Sequence, residues 1–480
     1  MSPSLANLAY ACCIAGLFYL DRDKSIRTSK ALWLPVLYLW AIGSRPVSMW
    51  LGMSPPTGAD TQMEGSPVDG AFFQILLVAA ICVLAHRGRR TLTFLKANFP
   101  ILIYFLFCLS SVVWSDYPGP ALRKWIKAIG DLAMILIVVT DPQPVAALRR
   151  VFSRVGFLLL PMSVLLIKYY PLLGRRYGAW DGAQMNIGVT LDKNLLGVIT
   201  FVLSLGAAWR VLALLSGDEP PTDRRRHLMA QGTLLAVGVW LLTLAHSATS
   251  LACFILGIGL LLATRLRFFR RKAAAVHVLV LSLIVTASLV LLLGGGASAA
   301  QALGRDPTLT GRTEIWAAVI SLASNPLVGA GFESFWLSPR VHEKLWQLFP
   351  GLPLNEAHDG YIEVYLNLGW VGVGLIGLIF VGAYRGAVKT FRRAPALGGL
   401  LVAFVLTAVT YNLTEAGFRM LTSTWFFFLL AAIEGSRIAA GVTVGASPSL
   451  DASSGLVPQL PARNGLAGRQ TTRAIAGQIR

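Results

Sequence analysis

Apolar stretches of about 20 residues follow one another along nearly the whole chain, separated by short clusters of arginine and lysine. A helix of that length crosses a bilayer, because about 20 residues rising 1.5 Å each cover the hydrocarbon core of roughly 30 Å. Only 14% of the residues are charged, whereas a soluble domain has about 25%. The pattern excludes a soluble fold and predicts an all-α, polytopic integral membrane protein.

Thirteen stretches are predicted to be transmembrane helices, within a range of about 12 to 14. The first lacks a preceding basic region and ends in Asp21-Arg22-Asp23-Lys24, so we expect a retained helix and not a cleaved signal peptide. The predicted spans are residues 4–20, 31–52, 70–86, 97–114, 125–141, 151–168, 194–216, 229–245, 249–264, 274–294, 361–384, 396–414 and 421–436.

The distribution of positive charge predicts the orientation of these spans. The net charge is +19, but the basic residues punctuate apolar segments instead of clustering on a polar domain, which argues against a nucleic-acid partner. With the N-terminus outside, most Lys and Arg fall in cytoplasmic segments, as the positive-inside rule requires. We therefore expect a multi-pass membrane protein whose N-terminus lies outside.

Two predicted outer segments are long, and the larger one should contain structure of its own. Within the loop 297–359, residues 311–324 read as a short helix, and Ser338-Pro339 begins a second helix expected to lie along the membrane surface. Residues 1–443 form the predicted membrane domain, and the tail 444–480 is predicted to be a disordered cytoplasmic segment. The five cysteines lie in apolar stretches, so neither disulfides nor a metal cluster is expected.

Positive charges at the predicted outer face need a separate explanation, since the positive-inside rule favours Lys and Arg on the cytoplasmic side. Converging Arg and Lys side chains would neutralise the pyrophosphate of a lipid in the outer leaflet. The alternative for each residue is an interfacial anchor, and Lys127 could simply pair with Asp131 on the same helix stripe. The candidates are Arg123, Lys124 and Lys127, Arg175 and Arg176, Lys193, Arg312, and Arg45, which lies inside an apolar span and needs a partner or cavity.

His358 stands at the end of the large loop, directly before an apolar helix. A neutral imidazole there could take a proton from a sugar hydroxyl, as a general base must. The alternative is a polar residue that caps the helix, and the residues alone leave both possibilities open.

Several motifs together resemble the O-antigen ligase and polymerase superfamily, and most of all its exopolysaccharide polymerase branch. The resemblance extends over nearly the whole membrane region. The motifs are Leu32-Trp33-Leu34-Pro35 and Gly43-Ser44-Arg45-Pro46-Val47-Ser48, Val113-Trp114-Ser115-Asp116 followed by Arg123, Gly188-Val189-Thr190 with Asp192-Lys193-Asn194, Gly311-Arg312-Thr313 leading to Asn325-Pro326-Leu327-Val328-Gly329, and His358-Asp359-Gly360-Tyr361 with Gly369.

The resemblance implies a membrane glycosyltransferase that polymerises oligosaccharide repeat units carried on a polyprenyl (undecaprenyl) pyrophosphate, at the periplasmic face, without a cofactor or essential metal. It implies that His358 is the catalytic base and that Arg312 holds the pyrophosphate, with Lys193 and Arg123 as further contacts. Ligation of the same donor to a lipid A core is the alternative, and transport of lipid-linked sugars is a third. Besides membrane lipid, chain-length regulators and export proteins are candidate partners.

One segment departs from the family pattern. Many members have a Ser-Arg-Thr type motif near the eighth and ninth helices, where this chain reads Ala245-His246-Ser247-Ala248-Thr249-Ser250. One phosphate contact should then come from Lys193, Arg123 or His246.

Overall fold

The computed structural model describes residues 2–23, 25–53, 66–177, 182, 184–217, 223–272, 274–282, 310–352 and 354–439. The chain divides into two units, Met1–Val444 and Gly445–Arg480, and every described residue belongs to the first. The predicted tail therefore lies outside the described residues, as do residues 283–294 of the tenth predicted span and 297–309 of the large loop.

The described part is almost entirely helical. Its α-helices, labelled in chain order, are α1 Pro3–Leu20, α2 Trp33–Ile42, α3 Val47–Trp50, α4 Pro67–His86, α5 Gly88–Ala97, α6 Phe99–Ser110, α7 Pro118–Val139, α8 Pro144–Tyr169, α9 Pro171–Gly174, α10 Lys193–Ser216, α11 Arg224–Ala245, α12 Ala248–Ala263, α13 Arg267–Arg271, α14 Thr310–Ser321, α15 Pro339–Leu348, α16 Gly360–Arg393, α17 Pro395–Tyr411 and α18 Ser423–Ala439. Residues 274–282 are also helical. Short 3₁₀ turns cover Lys30–Leu32, Ser111–Trp114 and Phe335–Leu337.

Six of these helices are long and apolar enough to cross a membrane, namely α1, α4, α8, α10, α11 and α16. A seventh span would be the pair Arg90–Ala97 and Phe99–Trp114, which is bent by 85°. Three further apolar helices are shorter, namely Lys30–Ile42, α12 and α17. The protein is thus an all-α polytopic membrane protein, as the sequence predicts, although within the described residues fewer helices reach full spanning length than the thirteen expected of the whole chain.

The second predicted span, 31–52, is wrong as a single helix. Helix α2 ends at Ile42, and the chain turns before the short α3. Gly43 permits this turn to pack tightly, since a Cβ there would lie 2.8 Å from Leu159 Cδ1. Pro46 follows and cannot continue a helix with a normal hydrogen bond. Residues 44–46 are therefore a connection and not part of a membrane-spanning helix.

The core lies where α8, α10, α17 and α18 meet. The rings of Phe152, Phe404 and Phe427 stack there, with centroids 4.8 to 5.6 Å apart. Helix α10 is buried along most of its length, whereas α1 and α4 keep most of their apolar surface exposed. Such exposure is expected of helices that face lipid, because lipid tails are as apolar as the side chains they contact.

Charged side chains gather at two opposite ends of the bundle. One end holds Asp21, whose carboxylate lies 2.9 Å from Arg210 and 3.2 Å from His227. The other end holds Lys193, the first residue of α10. Since 17 residues of helix separate Lys193 from Arg210, the two ends are about 25 Å apart along α10. The predicted inner and outer segments therefore separate in space.

Helix α16 is interrupted at Gly369, and the large loop packs into the break. Gly369 has φ +62°, and a Cβ there would lie 2.2 Å from the carbonyl carbon of Leu327. The backbone groups freed by the break are satisfied by the loop, since Trp370 N donates to Pro326 O and Gly331 N donates to Asn367 O. The Asn-Pro-Leu-Val-Gly motif thus fastens the loop to the first turns of α16.

The predicted helices of the large loop are present. Helix α14 ends at Ser321, shortly before Asn325-Pro326, and α15 begins at Pro339 after the N-cap residue Ser338. Val341 and Leu345 are the buried residues of α15. The other long outer segment contains an antiparallel hairpin that the sequence analysis did not predict, formed by β1 Arg175–Tyr177 and β2 Gln184–Asn186.

Candidate active site

His358 sits at the junction between the large loop and α16, in a backbone conformation that is unusual for a side-chain-bearing residue. Its φ is +51°, which costs free energy and persists only where the surroundings enforce it. The next residue, Asp359, caps α16 by accepting from the amides of Tyr361 and Ile362 at 2.9 and 2.8 Å. This cap fixes the helix start and hence the direction in which His358 leaves it.

Gly360 lets a second loop approach this junction. Its amide donates to Asn412 O at 2.8 Å, and a Cβ at this position would lie only 1.8 Å from Asn412 Oδ1. That same Oδ1 accepts from the amides of Gly417 and Phe418 at 2.8 and 2.6 Å. Asn412 therefore shapes the loop between α17 and α18 and holds it against the His358 turn.

Two glutamates flank the imidazole of His358. Nδ1 lies 2.8 Å from Glu356 Oε1 and 3.7 Å from Glu415 Oε2. Neither carboxylate is aligned with Nδ1 well enough for a hydrogen bond of good geometry, so charge attraction is the main character of the contact. The carboxylate of Glu415 is buried, while the His358 side chain keeps 32% of its surface exposed. The ring is thus reachable from outside, and Nε2 is the nitrogen turned away from the carboxylates.

Arginines balance these carboxylates. Arg312 from α14 lies 3.4 Å from Glu415 Oε1 and also donates to the carbonyl of Thr414. Arg419 lies 3.5 Å from Glu356 Oε2 and 3.3 Å from Glu333 Oε2. The result is a continuous network of alternating charges around the imidazole.

Two further residues extend this network to the neighbouring helices. Lys124 of α7 donates to the carbonyl of Glu333 at 2.8 Å. Asn194 in the first turn of α10 reaches Glu415 Oε1 at 3.4 Å. Residues of α7, α10, α14, α16 and the α17–α18 loop therefore meet around one histidine.

The charges determine the protonation state of His358. Contact with Glu356, then with Glu415, outweighs burial and raises the pKa of His358 to about 9. Burial favours the neutral form of Glu356, but the contact with His358 outweighs it and lowers the pKa of that carboxyl. The two nearby carboxylates therefore stabilise the imidazolium at neutral pH, in contrast to the neutral imidazole expected from the sequence.

Among the residues proposed from sequence, the structure brings Arg312 and His358 together through Glu415. Lys193 begins α10 beside Asn194 and so lies at the edge of the network. Arg123 precedes Lys124 on α7 but lines a separate groove with Lys127. These placements leave the roles of Lys193 and Arg123 as proposals.

Three other predicted residues lie outside the network. Arg45 is buried and donates to the carbonyls of Leu173 and Gly188 at 2.7 and 3.0 Å, with its guanidinium over the Trp50 ring. Arg175 and Arg176 belong to the hairpin strand β1, where Arg175 donates to Ile167 O. The structure thus assigns Arg45 a partner set of its own in the connection between α2 and α3.

The suggested pairing of Lys127 with Asp131 is not what the structure shows. Asp131 is fully buried and accepts from the Tyr38 hydroxyl at 2.8 Å and from the amide of Leu421 at 3.2 Å. The carboxylate that acts on Lys127 is instead that of Asp69 at the start of α4. The i, i+4 spacing is compatible with a Lys127–Asp131 pair, but the Asp131 carboxylate is instead hydrogen-bonded by groups that are distant in the chain.

Sequence reasoning missed four charged members of the network. Glu356 stands two positions before His358, and this proximity in the sequence could have indicated it. Glu415 and Arg419 share a short loop between two apolar helices, which was the one available signal. The missed residues are Glu333, Glu356, Glu415 and Arg419.

The segment that lacks the family arginine lies next to this site. The Thr249 and Thr414 hydroxyls are hydrogen-bonded at 2.9 Å, so the start of α12 contacts the loop that carries Glu415. His246 ends α11 with φ +50° and is exposed. Arg419 is a half-buried cation of this site that could supply the contact made by the family arginine, and it was not among the residues expected from the sequence.

Glu356, His358 and Glu415 offer three ligand atoms within 4.8 Å of one another, a spacing that a metal ion could bridge. However, Arg312 and Arg419 already pair with the two carboxylates. Their positive charge disfavours a dication at the same place. The same charge favours an anionic substrate group, such as a phosphate, that competes with the carboxylates for the guanidinium groups.

Two comparisons with known proteins bear on this site. A family model described as O-antigen ligase matches residues 233–377, which include Arg312, His358 and Gly369. The exopolysaccharide production protein ExoQ of Rhizobium meliloti (strain 1021) is 27% identical over 296 residues, covering 60% of this chain and 65% of ExoQ, a little under two thirds of that relative. The two matches support placing this chain in the O-antigen ligase and polymerase family, in its exopolysaccharide branch.

Proposed function

We propose that the protein is a glycosyltransferase that polymerises lipid-linked oligosaccharide repeat units into exopolysaccharide at the periplasmic face of the bacterial inner membrane. The observation that carries the proposal is the imidazole of His358, held between Glu356 and Glu415 and joined through Glu415 to Arg312. A proton acceptor beside an arginine that can bind phosphate is the arrangement this transfer needs. The relative's name, an exopolysaccharide production protein, favours the same substrate class.

The proposed step forms one bond and breaks one. The acceptor hydroxyl oxygen attacks the anomeric carbon of the donor glycan, and the bond from that carbon to the pyrophosphate oxygen breaks. The lipid pyrophosphate leaves with the electron pair, and the hydroxyl proton passes to Nε2 of His358. Since Nδ1 faces the carboxylates, the imidazolium formed in this step is stabilised by Glu356 and Glu415.

Arg312 is the proposed pyrophosphate ligand. Its side chain is 28% exposed, and its 3.4 Å separation from Glu415 leaves the pair open to competition by a more highly charged anion. Arg can bind two phosphate oxygens at once, which directs the leaving group as well as neutralising it. Lys193 at the edge of the network would add a further positive charge.

Ligation is the second candidate, and the description of the matching family model as O-antigen ligase favours it. The donor chemistry is the same in both reactions, so only the acceptor differs. Polymerisation gives a ladder of repeat units from a lipid-linked oligosaccharide, whereas ligation gives a single transfer to a lipid A core. A transporter of lipid-linked sugars would form neither product.

The test is a reconstitution of the purified protein with one lipid-linked oligosaccharide. We expect His358→Ala to abolish chain growth without unfolding the protein, because it removes the proton acceptor but no core packing. His342→Ala is the matched control, since His342 is an exposed histidine of the same loop that contacts Trp336 O. An unchanged ladder from His358→Ala would remove this residue from the mechanism.

The proposed face can be tested independently of activity. Glu314 is an exposed residue of α14, two positions after Arg312. A Glu314→Cys variant in intact cells should react with a membrane-impermeant maleimide added from the periplasmic side. Labelling that requires disruption of the inner membrane would place the site in the cytoplasm.

A further inference from the structure

A groove open to the surface runs between α4 and α7 at the same end of the bundle as His358. It has a volume of about 300 Å³. Apolar side chains form most of its walls, and two cations lie on its α7 side. The lining includes Tyr38, Phe73, Leu77, Ile126, Arg123 and Lys127. We call it the α4–α7 groove.

The two cations act as a pair. Arg123 and Lys127 are four residues apart on α7, so their side chains lie on the same stripe of the helix. Asp69 lies close enough to Lys127 to interact with it, but its carboxylate is held by the amide and hydroxyl of Ser48 at 2.9 and 2.7 Å. The α4–α7 groove combines apolar walls with two cations, which matches a lipid that has an apolar tail and an anionic headgroup.

The groove is separate from the His358 network although both use α7. Lys124 points to Glu333 and the network, whereas Arg123 and Lys127 line the groove. Asp131 fixes the structure between the groove and the network. Its carboxylate accepts from the Tyr38 hydroxyl, which lines the groove, and from the amide of Leu421, two residues after Arg419 of the network. Helix α7 therefore offers cations to two different places.

We propose that the α4–α7 groove binds the polyprenyl pyrophosphate of the acceptor, the second lipid-linked substrate, with Arg123 and Lys127 on its phosphates. This inference rests on the proposed polymerisation. The donor's pyrophosphate must lie at the reacting carbon, beside His358 and Arg312. The acceptor reacts at its non-reducing end, so its own pyrophosphate must lie one repeat unit away from the imidazole. A separate basic groove at the same end of the bundle meets that requirement.

The first test is lipid binding without any glycosyl transfer. The full chain in phosphatidylcholine nanodiscs is titrated with undecaprenyl pyrophosphate, and the bound lipids are counted by native mass spectrometry. We expect wild type to bind two lipids. The double substitution Arg123→Gln with Lys127→Gln should weaken one of these sites at least 10-fold and leave the other unchanged. Arg340→Gln, which removes an exposed cation of α15, should leave both sites unchanged.

A steric variant separates groove occupancy from charge. Gly70 lines the groove and a Cβ there meets nothing within 4 Å, so Gly70→Phe should fill the groove without disturbing the fold. Gly377→Phe is the matched control, because Gly377 also has open space and lies on the exposed face of α16. We expect Gly70→Phe to remove one bound lipid and Gly377→Phe to remove none.

Two outcomes would overturn the inference. One is unchanged binding of both lipids in the charge and steric variants. The other is equal displacement of the groove lipid by phosphatidylglycerol, which would make the occupant an ordinary anionic phospholipid. Failure of the proposed function would give a different result. Two lipids would then bind and the variants would weaken binding as described, but the wild-type protein would form no glycosidic bond.

Discussion

The substitution Glu356→Gln tests how the carboxylates control His358. The pKa of His358 is raised from 6.5 to about 9, with Glu356 as the largest cause. An opposite charge at this distance shifts a pKa by about 1 to 3 units, so removing Glu356 should bring that pKa down by about 1 to 2 units. If the reactive form is the neutral ring, only about 1% of wild-type molecules carry it at pH 7. Activity of the wild type should therefore rise with pH, with its midpoint near pH 9.

The assay is the initial rate of polymer formation by the reconstituted protein between pH 6 and 10. In Glu356→Gln the rise should occur about 1 to 2 pH units lower, because the imidazolium has lost its nearer counter-charge. Glu415→Gln should shift the rise in rate to lower pH as well, but by a smaller amount. Glu314→Gln, an exposed glutamate on α14, is the control and should not move it. A wild-type rate that falls as the pH approaches 9 would refute a neutral imidazole as the base.

Three further predictions concern a residue that supports the site, an ion pair at the opposite end of the bundle, and the removal of metal ions. Asn412→Ala leaves the amides of Gly417 and Phe418 without their acceptor, so we expect about 1 to 3 kcal/mol of destabilisation and weaker activity, measured by thermal unfolding and polymer yield. Asp21→Asn leaves Arg210 buried without its counter-charge and should cost about 3 to 5 kcal/mol; an unfolding curve identical to wild type would contradict this. Treatment with EDTA should leave the rate unchanged, because Arg312 and Arg419 already balance the carboxylates, and restoration of a lost rate by added Mg²⁺ or Zn²⁺ would show the opposite.

The membrane fold could be predicted because hydrophobicity acts locally. Each apolar stretch must find an apolar surrounding, whether lipid or protein, so its position in the chain is visible without knowledge of its neighbours. Helix boundaries were less predictable. The predicted span 31–52 failed because Gly43 and Pro46 break it, and because Arg45 is stabilised by carbonyls that come from residues 173 and 188.

The sequence by itself determined that this chain is a helical membrane protein with a histidine at the end of a large loop and basic residues near the same end. Only the tertiary structure decided which charges meet. Glu415 and Arg419 join His358 because Gly360 permits close contact with Asn412, whose side chain shapes the α17–α18 loop. Glu415 is 57 positions from His358 in the chain but only 3.7 Å from its Nδ1 in space, and electrostatic interactions depend on distance in space, not on separation in sequence.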